Sequence, residues 1–163
     1  FNHQFGQTFI LPEPFISDNT SMLPGLDGRK MSKSYGNTIS LFTPEKNLRK
    51  SIMKIKTNSQ EPGEPKDPES SSLFSIYRAF ATGSETEAIR QRYVDGIGWG
   101  EMKECVFQCL NDHLKIAREE YNRLVAAPDY IEDVLRKGAD KARAVSSPFM
   151  DQIRSNVGFK ALS

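Results

Sequence analysis

The chain is poor in the residues that build metal and disulfide sites. It has two cysteines, Cys105 and Cys109, and two histidines, His3 and His113. Two cysteines cannot supply a disulfide framework, and a reducing, cytoplasmic compartment is the simplest expectation. Histidines so far apart in sequence exclude an HExxH zinc site. No apolar run approaches the roughly 18 residues that a membrane span needs. Neither sign of charge dominates: 22 Lys and Arg stand against 21 Asp and Glu, for a net +1. The opening Phe1-Asn2-His3-Gln4 has no methionine, basic region or apolar stretch, so no signal peptide is expected. The chain reads as a segment of a longer protein. What is present is a globular composition: 163 residues, 37% hydrophobic and 26% charged, with a mean hydropathy of -0.54. That is enough for one domain, or one and a fragment.

The small net charge hides an asymmetry. Residues 1–28 carry three acids and no base. Residues 29–58 carry eight bases (Arg29, Lys30, Lys33, Lys46, Arg49, Lys50, Lys54 and Lys56) against Glu45 alone. Such a run is either a polyanion footprint or a solvated helix face. Prolines at 62, 65 and 68 and Gly63 then interrupt any helix or central strand, which places a boundary or an extended connection there.

Thr8-Phe9-Ile10-Leu11, stopped by Pro12, reads as a short buried strand. Residues 12–42 hold too many Pro, Gly, Ser and Asn for regular structure. A helix is expected from the cap Thr43-Pro44-Glu45, with Leu48, Ile52 and Ile55 inward. Ser70-Ser71-Ser72 opens another, burying Leu73, Phe74, Ile76, Tyr77 and Phe80. A capping box at Ser84-Glu85-Thr86-Glu87 opens a third, with Ile89, Tyr93 and Ile97 inward. Gly98-Trp99-Gly100 breaks the chain. From Met102 to Val125, through Tyr121, apolar residues recur at three- and four-residue steps, the pattern of a long amphipathic helix. Pro128 starts the last helix, with Ile131, Val134, Leu135, Ala142 and Val145 inward. Ser147-Pro148 is expected to kink or restart it. Consecutive helices with short turns imply an antiparallel bundle.

The chemistry concentrates in Leu23-Pro24-Gly25-Leu26-Asp27-Gly28-Arg29-Lys30-Met31-Ser32-Lys33-Ser34-Tyr35-Gly36-Asn37-Thr38. Glycines at 25, 28 and 36 give a flexible backbone that can approach a ligand closely. Arg29, Lys30 and Lys33 supply cations; Ser32 and Ser34 supply small donors. Polyphosphate is held by such groups. The spacing is not that of a Walker A loop. On these residues alone, a phosphate loop and an exposed basic loop both remain open.

Lys30-Met31-Ser32-Lys33-Ser34 is the KMSKS signature of class I aminoacyl-tRNA synthetases. The lead-in Leu-Pro-Gly-Leu-Asp-Gly-Arg and the continuation Tyr35-Gly36-Asn37-Thr38-Ile39 resemble the bacterial tryptophanyl-tRNA synthetases. So do the connection from Pro62 to Asp67-Pro68 and the closing runs Ala142-Arg143-Ala144-Val145 and Val157-Gly158-Phe159. Tyrosyl-tRNA synthetases usually vary the second and third loop positions. The resemblance covers nearly the whole chain, as the C-terminal half of such an enzyme.

The resemblance implies a mainly α fold: an antiparallel helical bundle of the anticodon-binding type, preceded by the last strand and KMSKS loop of a truncated Rossmann-type α/β domain. Residues 1–58 would be the remnant of the nucleotide-binding catalytic domain with its connecting helix. Residues 59–163 would be the anticodon-binding domain. The implied activity is ATP-dependent formation of tryptophanyl-adenylate, with release of pyrophosphate, then transfer to tRNA(Trp). Lys30 and Lys33 would be catalytic, stabilising the leaving pyrophosphate; Met31 would lie near the adenosine, and Ser32 and Ser34 would add polar contacts. ATP is the implied substrate, with Mg2+ as its counter-ion and no tightly bound protein metal. Tryptophan would bind the other half of the enzyme, through which the parent forms a homodimer, leaving this piece monomeric. The family's His-x-Gly-His signature is absent here, since no two histidines are three apart. The chain alone is therefore expected to make no adenylate.

Other features invite blander readings. Cys105, Cys109 and His113 at i, i+4 and i+8 span about 12 Å of helix, too far for all three to share one ion, so the cysteines read as core. Phe74, Tyr77, Phe80 and Tyr121 read as core before base-stacking. Arg90, Arg92, Lys103, Arg136, Lys137, Lys141 and Arg143 are candidates for a local basic face on RNA. The alternatives to an enzyme part are a non-catalytic helical RNA-binding module and a helical interaction protein with a merely exposed basic loop.

Overall fold

A computed structural model describes residues 1–16 and 22–159. Residues 17–21, inside the expected irregular stretch, lie outside the described residues. Among the described residues six α-helices follow in order: α1 (Asn2–Phe5), α2 (Glu45–Met53), α3 (Ser72–Arg78), α4 (Gly83–Val94), α5 (Trp99–Val125) and α6 (Pro128–Asn156). A 3-10 turn spans Lys33–Tyr35. The protein is mainly helical. Among the described residues no helix is long and apolar enough to cross a membrane.

The strand expected at Thr8–Leu11 is absent. A strand needs a ladder partner, and the described residues contain only one isolated bridge, between Pro24 and Lys30. Asn2 takes the place of that partner. Its Oδ1 accepts from the Thr8 and Phe9 amides at 3.1 and 2.9 Å, and its Nδ2 donates to the Phe9 carbonyl at 2.7 Å. With the backbone satisfied locally, Ile10 stays 97% exposed rather than buried.

Contacts divide the chain into two compact units: Phe1–Phe15 with Asn122–Ser163, and Ile16–Tyr121. These are divisions by packing, and they do not follow the functional division drawn at residue 58. In the first unit, Phe1 packs at a tilt on Phe5 and edge-on against Phe9, and Phe9 meets Phe149 edge-on at 5.4 Å. Asn156 donates to the Thr8 hydroxyl at 2.8 Å. α6 buries no residue, contrary to the inward stripe expected of it. It also runs through Pro148 without a restart, although Pro148 cannot donate to the preceding turn.

The second unit holds the core. Leu48 and Ile52 of α2, Phe74 of α3, Tyr93 of α4 and Met102 and Val106 of α5 are fully enclosed. Each such side chain contributes about 1.5–3 kcal/mol on leaving water. Helix starts follow local chemistry, with shifts of one or two residues from expectation. Pro44, not Thr43, occupies the cap of α2, so that helix begins without a side-chain cap bond. Ser71 caps α3 by accepting from the Phe74 amide. The capping box of α4 is Thr82 with Glu85, two residues before the expected one. Both Thr82-x-x-Glu85 and Ser84-x-x-Glu87 fit the pattern, and the earlier pair adds two residues, about half a turn, of helix. Cys105 and Cys109 are half-buried against the core rather than enclosed. Tyr121 is exposed and stacks flat on Phe42 at 4.9 Å.

The proline-rich connection is pinned. Gly63 donates its amide to Gly96 at 2.8 Å and Lys66 donates its amide to Tyr93 at 2.9 Å. The Lys66 ammonium, on a residue only 4% exposed, donates to the carbonyls of Glu61 and Glu64 at 2.8 and 2.9 Å. It also sits 5.4 Å from the centre of the Trp99 ring, a cation–π distance.

Candidate nucleotide-binding loop

Residues 23–37 form a closed, hydrogen-bonded loop. Met31 donates to the Leu23 carbonyl at 2.9 Å and Gly25 to the Arg29 carbonyl at 2.7 Å, which folds the lead-in back on itself. Gly28 donates to Gly25 at 3.1 Å to close the tip. The return strand of chain meets the lead-in where Leu26 donates to the Asn37 carbonyl at 2.9 Å. That approach requires glycine at 25: a Cβ there would lie 2.4 Å from the Asn37 side chain. The glycines therefore permit a tight, fixed path here. Leu26 in turn accepts from the Lys56 amide at 3.0 Å, tying the loop to the chain three residues beyond α2. Leu26 and Met31 pack on the core, and Ile39 joins it.

Within the loop, Ser32 caps the 3-10 turn. Its hydroxyl accepts from the Ser34 amide at 3.3 Å and lies 2.7 Å from the Ser34 hydroxyl. Gly36 ends the turn in the left-handed region, at φ 62°. Asp27 holds Arg29 through its amide at 3.1 Å and its guanidinium at 2.7 Å. The Arg29 guanidinium lies over the Tyr35 ring at 4.5 Å. The Asn37 amide and then the Arg29 contacts pull the Asp27 carboxyl down to about 2.

The expected site residues are thus distributed as follows. Lys30 and Lys33 are exposed, and no carboxylate among the described residues pairs with either. Ser32 and Ser34 are joined by their hydroxyls. Met31 is half-buried. Asp27 and Asn37 carry the loop's internal bonding, a role that residue types alone did not single out. The one available signal was a short amide side chain closing a glycine-flanked turn.

Elsewhere in the basic stretch, Arg49 pairs with Glu104 at 2.8 Å, while Lys46 and Lys50 of α2 are exposed. The candidate RNA-facing cations are mostly committed. Arg90 holds Glu69 at 2.7 Å, Arg92 pairs with Glu101, and Lys103 donates to the Met53 carbonyl at 3.0 Å. Arg136, Lys137 and Arg143 pair with acids on their own helix. Lys141 alone of the seven has no such partner among the described residues.

A cleft of about 500 Å³ lies between α3, α4 and α5, walled by Tyr77, Ile89, Cys105 and Cys109. Three of its four carboxylates are already engaged: Glu85 in the capping box, Glu101 with Arg92, Glu104 with Arg49. Burial, then Glu85 and Asp112, pushes the Cys109 thiol up to about 11. It stays protonated near neutrality.

The family model for class I tRNA synthetases (W and Y) matches residues 1–115. The chain belongs to this family. It is 52% identical, over 99% of its length, to the tryptophan–tRNA ligase of Pseudomonas aeruginosa, of which it covers 37%. It is 49% identical to the tryptophan–tRNA ligase of Neisseria meningitidis and covers 48% of it. Among solved structures, the tryptophanyl-tRNA synthetase of Campylobacter jejuni, complexed with ADP and tryptophan, matches with a TM-score of 0.80 at 37% identity, over 97% of this chain and 50% of that one. This member of the class I tRNA synthetases therefore spans between about a third and a half of the length of these relatives.

Proposed function

We propose that this chain serves as the loop-bearing and helical portion of a tryptophan–tRNA ligase. The complete enzyme activates tryptophan with Mg-ATP, releases pyrophosphate, and passes the aminoacyl group to tRNA(Trp). The observation that carries the reading is the pair of exposed, carboxylate-free ammonium groups at Lys30 and Lys33 on one fixed loop, in a chain about half identical to tryptophan–tRNA ligases.

The chemistry follows from where charge develops. Attack of the tryptophan carboxylate on the α-phosphorus breaks the bond to the bridging oxygen, and the departing pyrophosphate gains negative charge. Ammonium groups already positioned at that oxygen cluster stabilise the transition state more than the ground state. Lys30 and Lys33 do this; Ser32 and Ser34 add hydroxyl or backbone contacts, and Met31 lies towards the adenosine. Long lysine stems suit a leaving group that must afterwards depart.

In this reading residues 1–58 belong to the catalytic domain and residues 59–163 to an anticodon-binding helical bundle. Tryptophan binds outside this chain, so the chain alone forms no adenylate. The parent acts as a homodimer and the isolated chain as a monomer, which light scattering on each would distinguish.

The test is tryptophan-dependent ATP–pyrophosphate exchange. The isolated chain should read at background, and the complete gene product should exchange. Lys33→Ala in the complete product should slow exchange about 100- to 1,000-fold, the loss of about 3–4 kcal/mol seen when one preorganised donor is removed from a developing charge. An unchanged rate would overturn the reading.

A further inference from the structure

We infer that Asn37 is the positioning residue of the loop: one buried side-chain amide sets the backbone from which both reactive lysines extend. The inference rests on the proposed function for what the lysines do, and on geometry for how they are held.

Asn37 is 3% exposed in a loop whose neighbours are mostly at the surface. Its Nδ2 donates to Asp27 Oδ1 at 2.7 Å and to the Lys30 carbonyl at 3.2 Å. Its Oδ1 accepts from the Ser32 amide at 2.8 Å. The orientation of the amide follows from these partners. Turned over, its oxygen would face a carboxylate and a carbonyl, and its nitrogen would face an N–H.

The three bonds bracket the signature. Lys30 is held through its own carbonyl. Lys33 follows Ser32, whose amide is held by Asn37 and whose hydroxyl caps the turn that contains Lys33. The fourth tie, the Asn37 carbonyl accepting from Leu26, fixes the amide itself against the lead-in. A primary amide is well suited to this position, since it offers two donors and an acceptor in one plane. A serine has too few donors, and an aspartate would oppose Asp27.

The consequence is specific. Loss of the amide leaves both lysines present and charged, but their backbone loses its fixed path. Ordering must then occur on the way to the transition state. The turnover rate should fall while the affinity for tryptophan, which binds elsewhere, stays the same.

The experiment uses the complete gene product and measures kcat and KM in pyrophosphate exchange, with thermal melting in parallel. Asn37→Ala should lower kcat about 30- to 100-fold, in line with the effect of misplacing a catalytic group by about 1 Å. The KM for tryptophan should stay within twofold. Asn37→Asp should lose at least as much, because two carboxylates then face each other. Combining it with Asp27→Asn removes the facing carboxylates but still turns an oxygen to the Lys30 carbonyl, so this pair should stay at least tenfold below the parent. An Asn37→Ala rate within threefold of the parent would sink the inference. So would an exchanged pair that regains the parent rate, or a loss of rate that only follows a loss of folded protein. If Lys33→Ala is slow while Asn37→Ala is not, only the positioning role fails; if neither slows exchange, the proposed function fails with it.

Discussion

Around Phe74 and Tyr93 the chain is held by rings and aliphatic groups shut off from water. Around Asn37, in the same unit, it is held by one amide and a set of backbone bonds, with most side chains outside. Phe74 meets Tyr93 edge-on at 5.6 Å, and both are fully enclosed. Such a core is tolerant of direction, because dispersion and hydrophobic burial need only filled volume. The loop is intolerant of direction, because a donor turned over becomes a repulsion. A core of this kind sets stability; a hub of this kind sets where a few charges begin. Phe74→Ala should separate the two most strongly. It should cost about 3–5 kcal/mol in denaturant unfolding of the chain, the usual loss for emptying a phenylalanine site. The folded fraction should keep the loop's bonding. A loss below about 1 kcal/mol would mean that the aromatic core is not what holds this unit.

Lys66 lies between these extremes. It is a buried charge that uses polar bonding to fix a connection against the core. Replacing it with methionine keeps the stem but leaves the Glu61 and Glu64 carbonyls without their donor. The expected cost is about 1–3 kcal/mol. A neutral result in the same unfolding experiment would show that water replaces the ammonium at no penalty.

Sequence pattern described the first kind of region better than the second. The apolar residues of α2, α3, α4 and the first half of α5 went inward because periodicity specifies a face and neighbouring helices were there to cover it. The same pattern on α6 met no such cover within its unit, and Leu135 is 63% exposed. Periodicity states that a face exists, not that a partner does. Thr8–Leu11 failed in the same way: β-prone residues need a second strand, and Asn2 bonded the backbone first. In the loop, the lysines and serines were legible because their chemistry is visible in residue type. Asn37 was not, because its importance lies in which four residues surround it, and that depends on the close approach at Gly25. The difference between α5 and α6 can be sharpened on the chain itself. Leu135→Gln should change stability by no more than about 0.5 kcal/mol, as for ordinary surface substitutions. A larger loss would reveal packing at that face.

The smallest effect expected is electrostatic, and it reports on the hub directly. Asp27 titrates at about 2 rather than 3.8, first because the Asn37 amide donates to it and then because Arg29 pairs with it. A depressed carboxyl favours the folded loop above its ordinary pKa. That contribution is complete above about pH 4 and is lost as pH falls from there through about 2. The group is half-buried and open to solvent on one side, so water screens it and global unfolding should hardly register the change. The carboxyl carbon shift of Asp27, followed by NMR between pH 5 and pH 1.5, reads it locally. In the parent chain its midpoint should lie near 2. In Asn37→Ala it should move up towards the ordinary carboxylate value, while Arg29 keeps part of the depression. A midpoint that does not move would assign the shift to Arg29 and leave the amide without hold on the charge beside it.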